Sequence, residues 1–241
     1  MTMPVRLSVN INKIALIRNS RGGNLPDLVN VARDIESFGA DGITIHPRPD
    51  ERHVRYSDIP LLKEIVVTEL NIEGNPTDRF MDEVLQNKPH QCTLVPDSPT
   101  VLTSDQGWNT IKEKSFLTDV TNTLKQNGIR VSIFIDPIPE MVMGAYEIGA
   151  DRVELYTGLY AHQFNRNPGE AVADHINAAL VAVDSGIGVN AGHDLNLFNL
   201  RYYAKEVPGL LEVSIGHALV SDALYYGLRN VVGMYKQLLK E

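Results

Sequence analysis

Histidines and carboxylates recur where short apolar runs of this sequence end. His46 and His193 each follow such a run, while Glu73 and Glu154 lie at the ends of two others. Imidazole titrates near neutral pH and can exchange protons with a carboxyl group whose surroundings suit the transfer. Two residues of each kind could therefore move protons in successive steps, which suits a condensation with dehydrations better than a single hydrolysis.

Cations that could bind an anionic substrate are concentrated in two segments. They are Lys13, Arg18, Arg21, Arg48, Arg52 and His53. Arginine can bind phosphate through two donors at once, and lysine acts as a point charge. Gly216-His217 indicates a second anion site, because a glycine permits close backbone approach and the predicted helix behind it offers free N–H groups. We therefore predict small phosphorylated ligands.

The apolar pattern indicates which elements position these residues. Short β-like runs alternate with helical segments along the chain, at 5–11, 42–45, 68–72, 91–95, 130–135, 152–156, 187–190 and 212–215. This alternation predicts parallel strands with right-handed crossovers. Eight such units in 241 residues favour an α/β fold, a (β/α)8 TIM barrel that forms one domain over 1–241. In that fold, active sites lie at the C-terminal ends of the strands.

Helical periodicity is clearest in three segments. The apolar positions are 28, 31, 32, 35 and 38 before Gly39, then 111, 117, 120 and 124 before Gly128, then 172, 176, 179, 180 and 183 before Gly186. No Gly-x-Gly-x-x-Gly fingerprint opens the first unit, which disfavours a dinucleotide-binding fold. The long polar segment 96–108 is either a wall or lid of the site or a plain surface loop.

Alternation within the strands predicts a polar barrel interior. The inward positions are Arg6, Ser8 and Asn10, then Glu69, Asn71 and Glu73, then Arg152 and Glu154, then Glu212 and Ser214. Buried carboxylates without partners are costly because they lose their hydration. We therefore expect Arg6 and Arg152 to pair with Glu69 or Glu212 in the lower barrel, as a structural feature.

Composition limits the function classes. The chain has 22 Lys and Arg against 30 Asp and Glu, a net charge of −8, which argues against nonspecific nucleic-acid binding. Cys92 is the only cysteine, and no stretch approaches the roughly 20 apolar residues of a membrane span. These features predict a cytoplasmic protein with neither a nucleic-acid nor a membrane partner.

Zinc is the competing explanation for clustered histidine and glutamate. A metal-dependent barrel hydrolase carries His-x-His in its first strand, whereas that position here is Asn10-Ile11-Asn12. Ligands on four strands could still bind a metal. The acid–base interpretation remains the favoured one, with no metal in the site.

Several segments together resemble one family, the pyridoxine 5′-phosphate synthases of the deoxyxylulose-dependent vitamin B6 pathway. They are 9–11 through 18–22, 39–48, 50–53, 71–73, 94–96, 154–158, 189–193 and 215–218. Each is weak alone, but their order and spacing cover almost the whole chain. The resemblance implies that 1-deoxy-D-xylulose 5-phosphate and 3-amino-2-oxopropyl phosphate are joined into pyridoxine 5′-phosphate, with inorganic phosphate and water released, no cofactor, and a homo-octameric assembly.

Roles for individual residues follow from the same resemblance. His46 and Glu73 would be general bases, His193 the general acid, and Glu154 a stabiliser of transition states. The amino ketone phosphate would contact Asn10, Arg21, Gly216 and His217. The deoxyxylulose phosphate would contact Arg48, His53 and Thr103, and the substrate-binding set is completed by Asn12, Lys13, Gly192 and Asp194.

Three positions depart from the family pattern. Asn12-Lys13 stands where the best-known members have Asp-His, and Ser221-Asp222 stands where many have Gly-Arg, which removes a possible phosphate partner. Asp194 replaces the usual glycine after His193. A carboxylate facing a phosphate would oppose binding, so we expect Asp194 to point away and cap the next helix.

Two other functions fit the same residues. One is a barrel lyase, aldolase or isomerase acting on another phosphorylated ketose. The other is a non-catalytic barrel that binds phosphorylated ligands without proton transfer. The intact His46, Glu73, Glu154 and His193 weigh against the second alternative.

Overall fold

The protein, described here from a computed structural model over residues 4–97 and 104–240, contains a closed barrel of parallel strands. The strands are β1 (Arg6–Asn10), β2 (Gly42–Ile45), β3 (Leu70–Gly74), β4 (Gln91–Leu94), β5 (Arg130–Ile135), β6 (Arg152–Tyr156), β7 (Gly188–Gly192) and β8 (Leu210–Ile215). Each strand pairs with the next, and β8 pairs with β1. The predicted (β/α)8 barrel is confirmed.

Helices between the strands surround this barrel. In the described ranges they are α1 (Asn12–Asn19), α2 (Leu28–Ser37), α3 (Asp58–Ile65), α4 (Asp78–Asn87), α5 (Lys114–Gln126), α6 (Pro139–Ile148), α7 (Gly158–Gln163), α8 (Pro168–Ser185), α9 (Leu200–Glu206), α10 (His217–Tyr226) and α11 (Leu228–Leu238). None of these described helices has both the length and the apolar content needed to cross a bilayer.

The three helices predicted from periodicity are present, with differences at their edges. The Asp27 side chain caps α2 by accepting from the Asn30 N–H at 3.0 Å. Ile111 lies before α5 and is 60% exposed, so its assignment to that helix was wrong. Leu180 and Val183 of α8 are also about half exposed, although the pattern placed them on the buried face.

The third strand lies two residues later than predicted. The backbone N–H groups of Val67 and Thr68 donate to the Glu36 carboxylate at 3.0 and 2.7 Å. They therefore do not join the ladder, and β3 begins at Leu70 and continues to Gly74. As a result Glu73 lies within the strand and its side chain points into the barrel.

The lower interior of the barrel is an ionic network. Arg6 Nη2 lies 2.9 Å from both Glu69 Oε2 and Glu212 Oε2, and Arg152 lies 3.9 Å from Glu212. The expected pairing is therefore confirmed. Arg130, which the sequence analysis did not include, also pairs with Glu69. Burial and Glu69 raise the pKa of Glu212 to about 7.

A neutral hydrogen-bonded layer lies above this network. The Ser8 and Thr44 hydroxyls are 2.7 Å apart, and Asn71 donates to Thr44 at 3.4 Å. Thr93 donates in turn to Asn71 at 3.0 Å. Outward-facing apolar side chains of the same strands, such as Leu7 and Ile43, are fully buried against the helices. The neutral layer is thus a rigid floor for the residues at the strand ends.

Candidate active site

A cavity opens at the C-terminal ends of the strands and contains the predicted catalytic quartet. Its lining residues are Asn10, Asn12, Lys13, His46, Arg48, His53, Glu73, Val95, Ser104, Phe134, Glu154, His193, Asp194, Ser214, Gly216 and His217. These residues come from β1, β3, β5, β6 and β8, and from the segments that follow the strands. The placement matches the expectation that the barrel positions its chemistry at this face.

Two predicted site residues within the described ranges, Arg21 and Gly192, are not in that lining. Arg21 is exposed in the turn after α1. Gly192 lies behind the cavity, where a Cβ would collide with Oε1 of Glu154. Thr103 falls outside the described residues. The structure therefore brings together most of the predicted set, with Gly192 acting by leaving room for a carboxyl group.

Glu73 and Glu154 form the acidic bottom of the cavity. Glu73 accepts long hydrogen bonds from Asn10 at 3.4 Å and Ser214 at 3.5 Å. Burial, followed by the neighbouring Glu154, raises the pKa of Glu73 well above its usual value. Burial and Glu212 raise the pKa of Glu154 to about 8. Glu154 therefore holds a proton at neutral pH in most molecules and can donate it.

His46 lies beside this acidic pair at the end of β2. Its backbone N–H donates to Asn12 Oδ1 at 2.9 Å. Its Nδ1 is 3.8 Å from Glu73 Oε2, longer than a hydrogen bond. Burial and the nearby cations, Arg48 first, lower the pKa of His46 well below its usual value. An imidazole of lowered pKa next to carboxyl groups of raised pKa is an arrangement that can remove one proton and supply another.

His193 follows β7 in an unusual backbone conformation, with φ 85°. Thr157 Oγ1 donates to the carbonyl oxygens of both Gly192 and His193. The His193 ring is edge-on to Tyr156 with 5.3 Å between ring centroids. The loop therefore fixes the direction of this imidazole.

The direction of the Asp194 side chain differs from the prediction. Its φ is 57°, and its Oδ2 lies 2.9 Å from His193 Nδ1. The hydrogen bond with His193 lowers the pKa of Asp194. The expectation that Asp194 points away and caps the next helix was wrong, because the left-handed backbone turns its carboxylate back toward His193 and the cavity.

Cations form the opposite wall of the cavity. Lys13 comes from the first turn of α1, and Arg48 and His53 come from the segment after β2. Arg48 Nη2 lies 2.6 Å from Asp97 Oδ2. Burial, Arg52 and Lys13 lower the pKa of His53 to about 4. A phosphate entering here would meet two permanent positive charges.

A second place for an anion lies where β8 meets α10. Gly216 precedes the helix, and a Cβ on it would lie 3.0 Å from the Cβ of Asn10. The glycine therefore lets the end of β8 pack closely on the end of β1. The first N–H groups of α10 have no acceptor within the helix, so they are available to an anion.

Asp222, one of the family departures, has a structural contact. The Tyr235 hydroxyl of α11 donates to Asp222 Oδ2 at 2.8 Å. Ser221 Oγ donates to the carbonyl oxygen of His217 at 2.8 Å. Neither residue lines the cavity. Asp222 therefore attaches α10 to α11.

The sequence analysis missed several residues of the cavity and its rim. Phe134 alternates with Arg130 and Ser132 in β5, so the period-two pattern contained the signal for its inward direction. Asp97 follows β4 as a carboxylate at a strand end, the same signal that identified Glu73. Ser104 had no comparable signal, because its position depends on the loop after β4.

Within residues 4–97 and 104–240, no group of three or more histidine, cysteine, aspartate and glutamate side chains is arranged to hold a metal ion.

Solved structures with low sequence identity share the fold. A thiamine phosphate pyrophosphorylase from Pyrococcus furiosus superposes with a TM-score of 0.64 at 12% identity, covering 98% of this chain and 95% of that one. A 4-hydroxy-2-oxoglutarate aldolase/2-deydro-3-deoxyphosphogluconate aldolase from TTHB1 gives 0.63 at 18% identity, with 97% and 94% covered. At these identities the likeness concerns the barrel alone.

Curated relatives are much closer. The pyridoxine 5′-phosphate synthase of Cytophaga hutchinsonii is 59% identical over 236 residues, covering 98% of this chain and 99% of the relative. That of Flavobacterium johnsoniae is 57% identical over 235 residues, with the same coverage. The sequence model of the family described as "Pyridoxal phosphate biosynthesis protein PdxJ" matches residues 7–241. This chain, with its acid–base cavity at the strand ends, therefore belongs to the PdxJ family.

Proposed function

We propose that this chain condenses 1-deoxy-D-xylulose 5-phosphate with 3-amino-2-oxopropyl phosphate to form pyridoxine 5′-phosphate, releasing phosphate and water. The observation that carries the proposal is that the two imidazoles and two carboxyl groups of His46, His193, Glu73 and Glu154 line one cavity at the strand ends. Membership of the PdxJ family supports the choice of substrates.

The chemistry of such a ring closure explains why several proton carriers are needed. Joining an amine to a ketone with loss of water requires a base for the nitrogen and an acid for the departing hydroxyl. Forming a carbon–carbon bond requires removal of a proton next to a carbonyl, and each later elimination needs another acid. A cavity with two imidazoles and two carboxyl groups can provide these steps in sequence.

We assign the roles accordingly. His46 and Glu73 act as general bases, since the imidazole is neutral and the buried carboxylate, once ionised, is unusually basic. His193 acts as general acid. Glu154 stabilises the positive or proton-rich transition states of ring formation from its position beside Gly192.

The two phosphates take the two anion sites. Arg48 and His53, with Lys13 nearby and Thr103, bind the deoxyxylulose phosphate, and Lys13 replaces the histidine of the best-known members. Asn10, Gly216 and His217 bind the amino ketone phosphate at the start of α10, with Arg21 reaching it from the turn after α1. The remaining contacts are those of Asn12 and Asp194, while Gly192 contributes by leaving room for Glu154.

We also propose a homo-octamer in the cytoplasm. Exposed apolar side chains on the outside of the barrel support an assembly of several copies. They include Leu159, Phe198, Leu224, Tyr225 and Tyr226, which are 61%, 87%, 76%, 86% and 54% exposed. Burying surfaces of this kind is favourable. Light scattering of the purified chain should give eight times the 26.7 kDa mass, and a monomer mass would contradict the assembly.

A reconstitution experiment tests the activity. The purified chain is mixed with both phosphorylated substrates, and pyridoxine 5′-phosphate is followed by absorbance and mass. We expect product only when both are present, and none from His193→Ala, which should retain its fold by circular dichroism. Turnover of the ketose phosphate alone would favour a lyase or isomerase, and tight binding without turnover would favour a binding barrel.

A further inference from the structure

Asp97 is a buried carboxylate of the site that the family resemblance did not include. Its side chain is only 6% exposed. Its Oδ2 lies 2.6 Å from Arg48 Nη2 and accepts a hydrogen bond from Ser104 Oγ, also at 2.6 Å. The Asn75 amide donates to the Asp97 carbonyl oxygen at 3.0 Å. Contacts from three segments thus fix both the backbone and the carboxylate of Asp97.

The same oxygen faces the imidazole of His46. Oδ2 of Asp97 is 3.9 Å from His46 Nε2, and Glu73 Oε2 is 3.8 Å from the other ring nitrogen. Both distances exceed a hydrogen bond but lie within the range of an ion pair. A proton arriving on His46 would therefore lie between the Asp97 carboxylate and the carboxyl group of Glu73, while Arg48, Arg52 and His53 oppose it from the segment after β2.

We propose that Asp97 is a positioning residue that orients Arg48, competes with substrate phosphate for that cation, and stabilises a proton on His46. The kinetic part of this inference rests on the proposed function. The binding part does not, because competition for Arg48 can be measured with inorganic phosphate alone.

Replacing Asp97 by asparagine separates charge from shape. The amide oxygen of Asp97→Asn can still accept from Arg48 and from Ser104, so the loop should keep its geometry. Arg48 would lose the negative charge of Asp97, so phosphate should bind more tightly. His46 would lose the same nearby negative charge, so proton removal should slow. A residue with a purely structural role would weaken both binding and turnover.

The test compares the full-length wild type with Asp97→Asn. Inorganic phosphate is titrated by calorimetry, and kcat and kcat/KM are measured against pH with both substrates. We expect the phosphate dissociation constant to fall about fivefold, because a charge of like sign is removed at close range. We expect kcat to fall about tenfold or more. The acidic limb of kcat/KM should move to lower pH, because an anion that favours protonation has gone.

Two further variants control for charge and fold. Asp105→Asn removes an exposed carboxylate from the same loop and should leave affinity, kcat and the pH profile unchanged. Asp97→Glu keeps the charge and should restore weak phosphate binding. Thermal unfolding midpoints verify that each variant is folded. If Asp97→Asn does not fold, Ser104→Ala replaces it. Without the Ser104 hydroxyl, the Asp97 carboxylate interacts with Arg48 more strongly. Phosphate should therefore bind about twofold more weakly.

Unchanged or weaker phosphate binding in folded Asp97→Asn would overturn the inference, as would tighter binding in Ser104→Ala. A wild type that makes no product would instead overturn the proposed function. The phosphate titration would still decide whether Asp97 competes for Arg48, so the two failures are distinguishable.

Discussion

The lower and upper halves of the barrel interior use the same residue type for different purposes. Below, Glu69 lies between the guanidinium groups of Arg6 and Arg130. Above, Glu73 has only long hydrogen bonds from Asn10 and Ser214. These two residues indicate that the groups paired with a buried carboxylate, rather than its depth of burial, determine whether it is structural or able to exchange protons.

Glu212 and Glu154 extend this comparison. Both are almost completely buried, and both have a raised pKa, of about 7 and about 8. For Glu212 the effect of burial on the pKa is opposed by Arg6, Arg152 and Arg130, whereas for Glu154 it is reinforced by the neighbouring Glu212. An arginine beside Glu154 would lower its pKa and remove its capacity to carry a proton at neutral pH.

The largest effect on activity is expected in the upper half. Glu73→Gln removes a proposed base while keeping its shape, and it also relieves repulsion with Glu154. We expect product formation to fall about a hundredfold or more. The free energy of unfolding should stay the same or rise, because a poorly paired buried carboxylate is lost. Steady-state kinetics measure product formation, and urea unfolding measures the free energy of unfolding. A loss of stability equal to that of a lower-barrel variant would contradict the distinction between the two halves.

The largest effect on stability is expected in the lower half. Glu212→Ala removes one of the two carboxylates that pair with Arg6 and the acceptor of the Asn190 amide, and it should lower the free energy of unfolding by about 3 kcal/mol. Product formation by the molecules that remain folded should change much less than in Glu73→Gln. Chemical denaturation and an assay corrected for the folded fraction check this. Loss of activity without loss of stability would show that the lower network takes part in the chemistry.

The dependence of stability on pH tests the raised pKa of Glu154. The pKa of Glu154 is raised from 4.5 to about 8, so its protonated form is favoured in the folded chain. Its contribution to stability is full below pH 4.5 and is lost as pH rises toward 8. Between these limits we expect up to about 1 kcal/mol of lost stability per pH unit. Glu154→Gln should flatten this slope when urea unfolding is repeated across pH, and an unchanged slope would contradict the assignment.

The smallest effect on activity is expected from Asp194, which contacts His193 at the rim of the cavity. Asp194→Gly removes the carboxylate 2.9 Å from His193 Nδ1. Glycine accepts the φ of 57° without strain, so the fold should be unaffected. We expect kcat to fall about threefold, since the imidazole keeps its direction through the backbone but loses an exposed charge partner. Asp194→Asn keeps a hydrogen-bond acceptor, so its kcat should lie between those of the wild type and Asp194→Gly in the same assay.

Sequence alone could predict those features of the two halves that depend on strand alternation. The inward direction of Glu69, Glu73 and Glu212 follows from period two, and the Arg6 pairing follows from the cost of unpaired charges. The contacts of Asp97 and Asp194 could not be predicted. They depend on how loops turn after the strands, including a left-handed backbone at Asp194, and side-chain contacts across loops leave no periodic signal.

The room left at Gly192 has a consequence for how this enzyme would respond to random mutation. A methyl group there would meet only the tip of the Glu154 side chain, which can swing aside at little cost to folding. An alanine at this position should therefore give abundant, folded protein whose carboxyl group stands in the wrong place. A screen that selects for folded protein would keep such a variant, whereas a screen for growth without vitamin B6 would reject it.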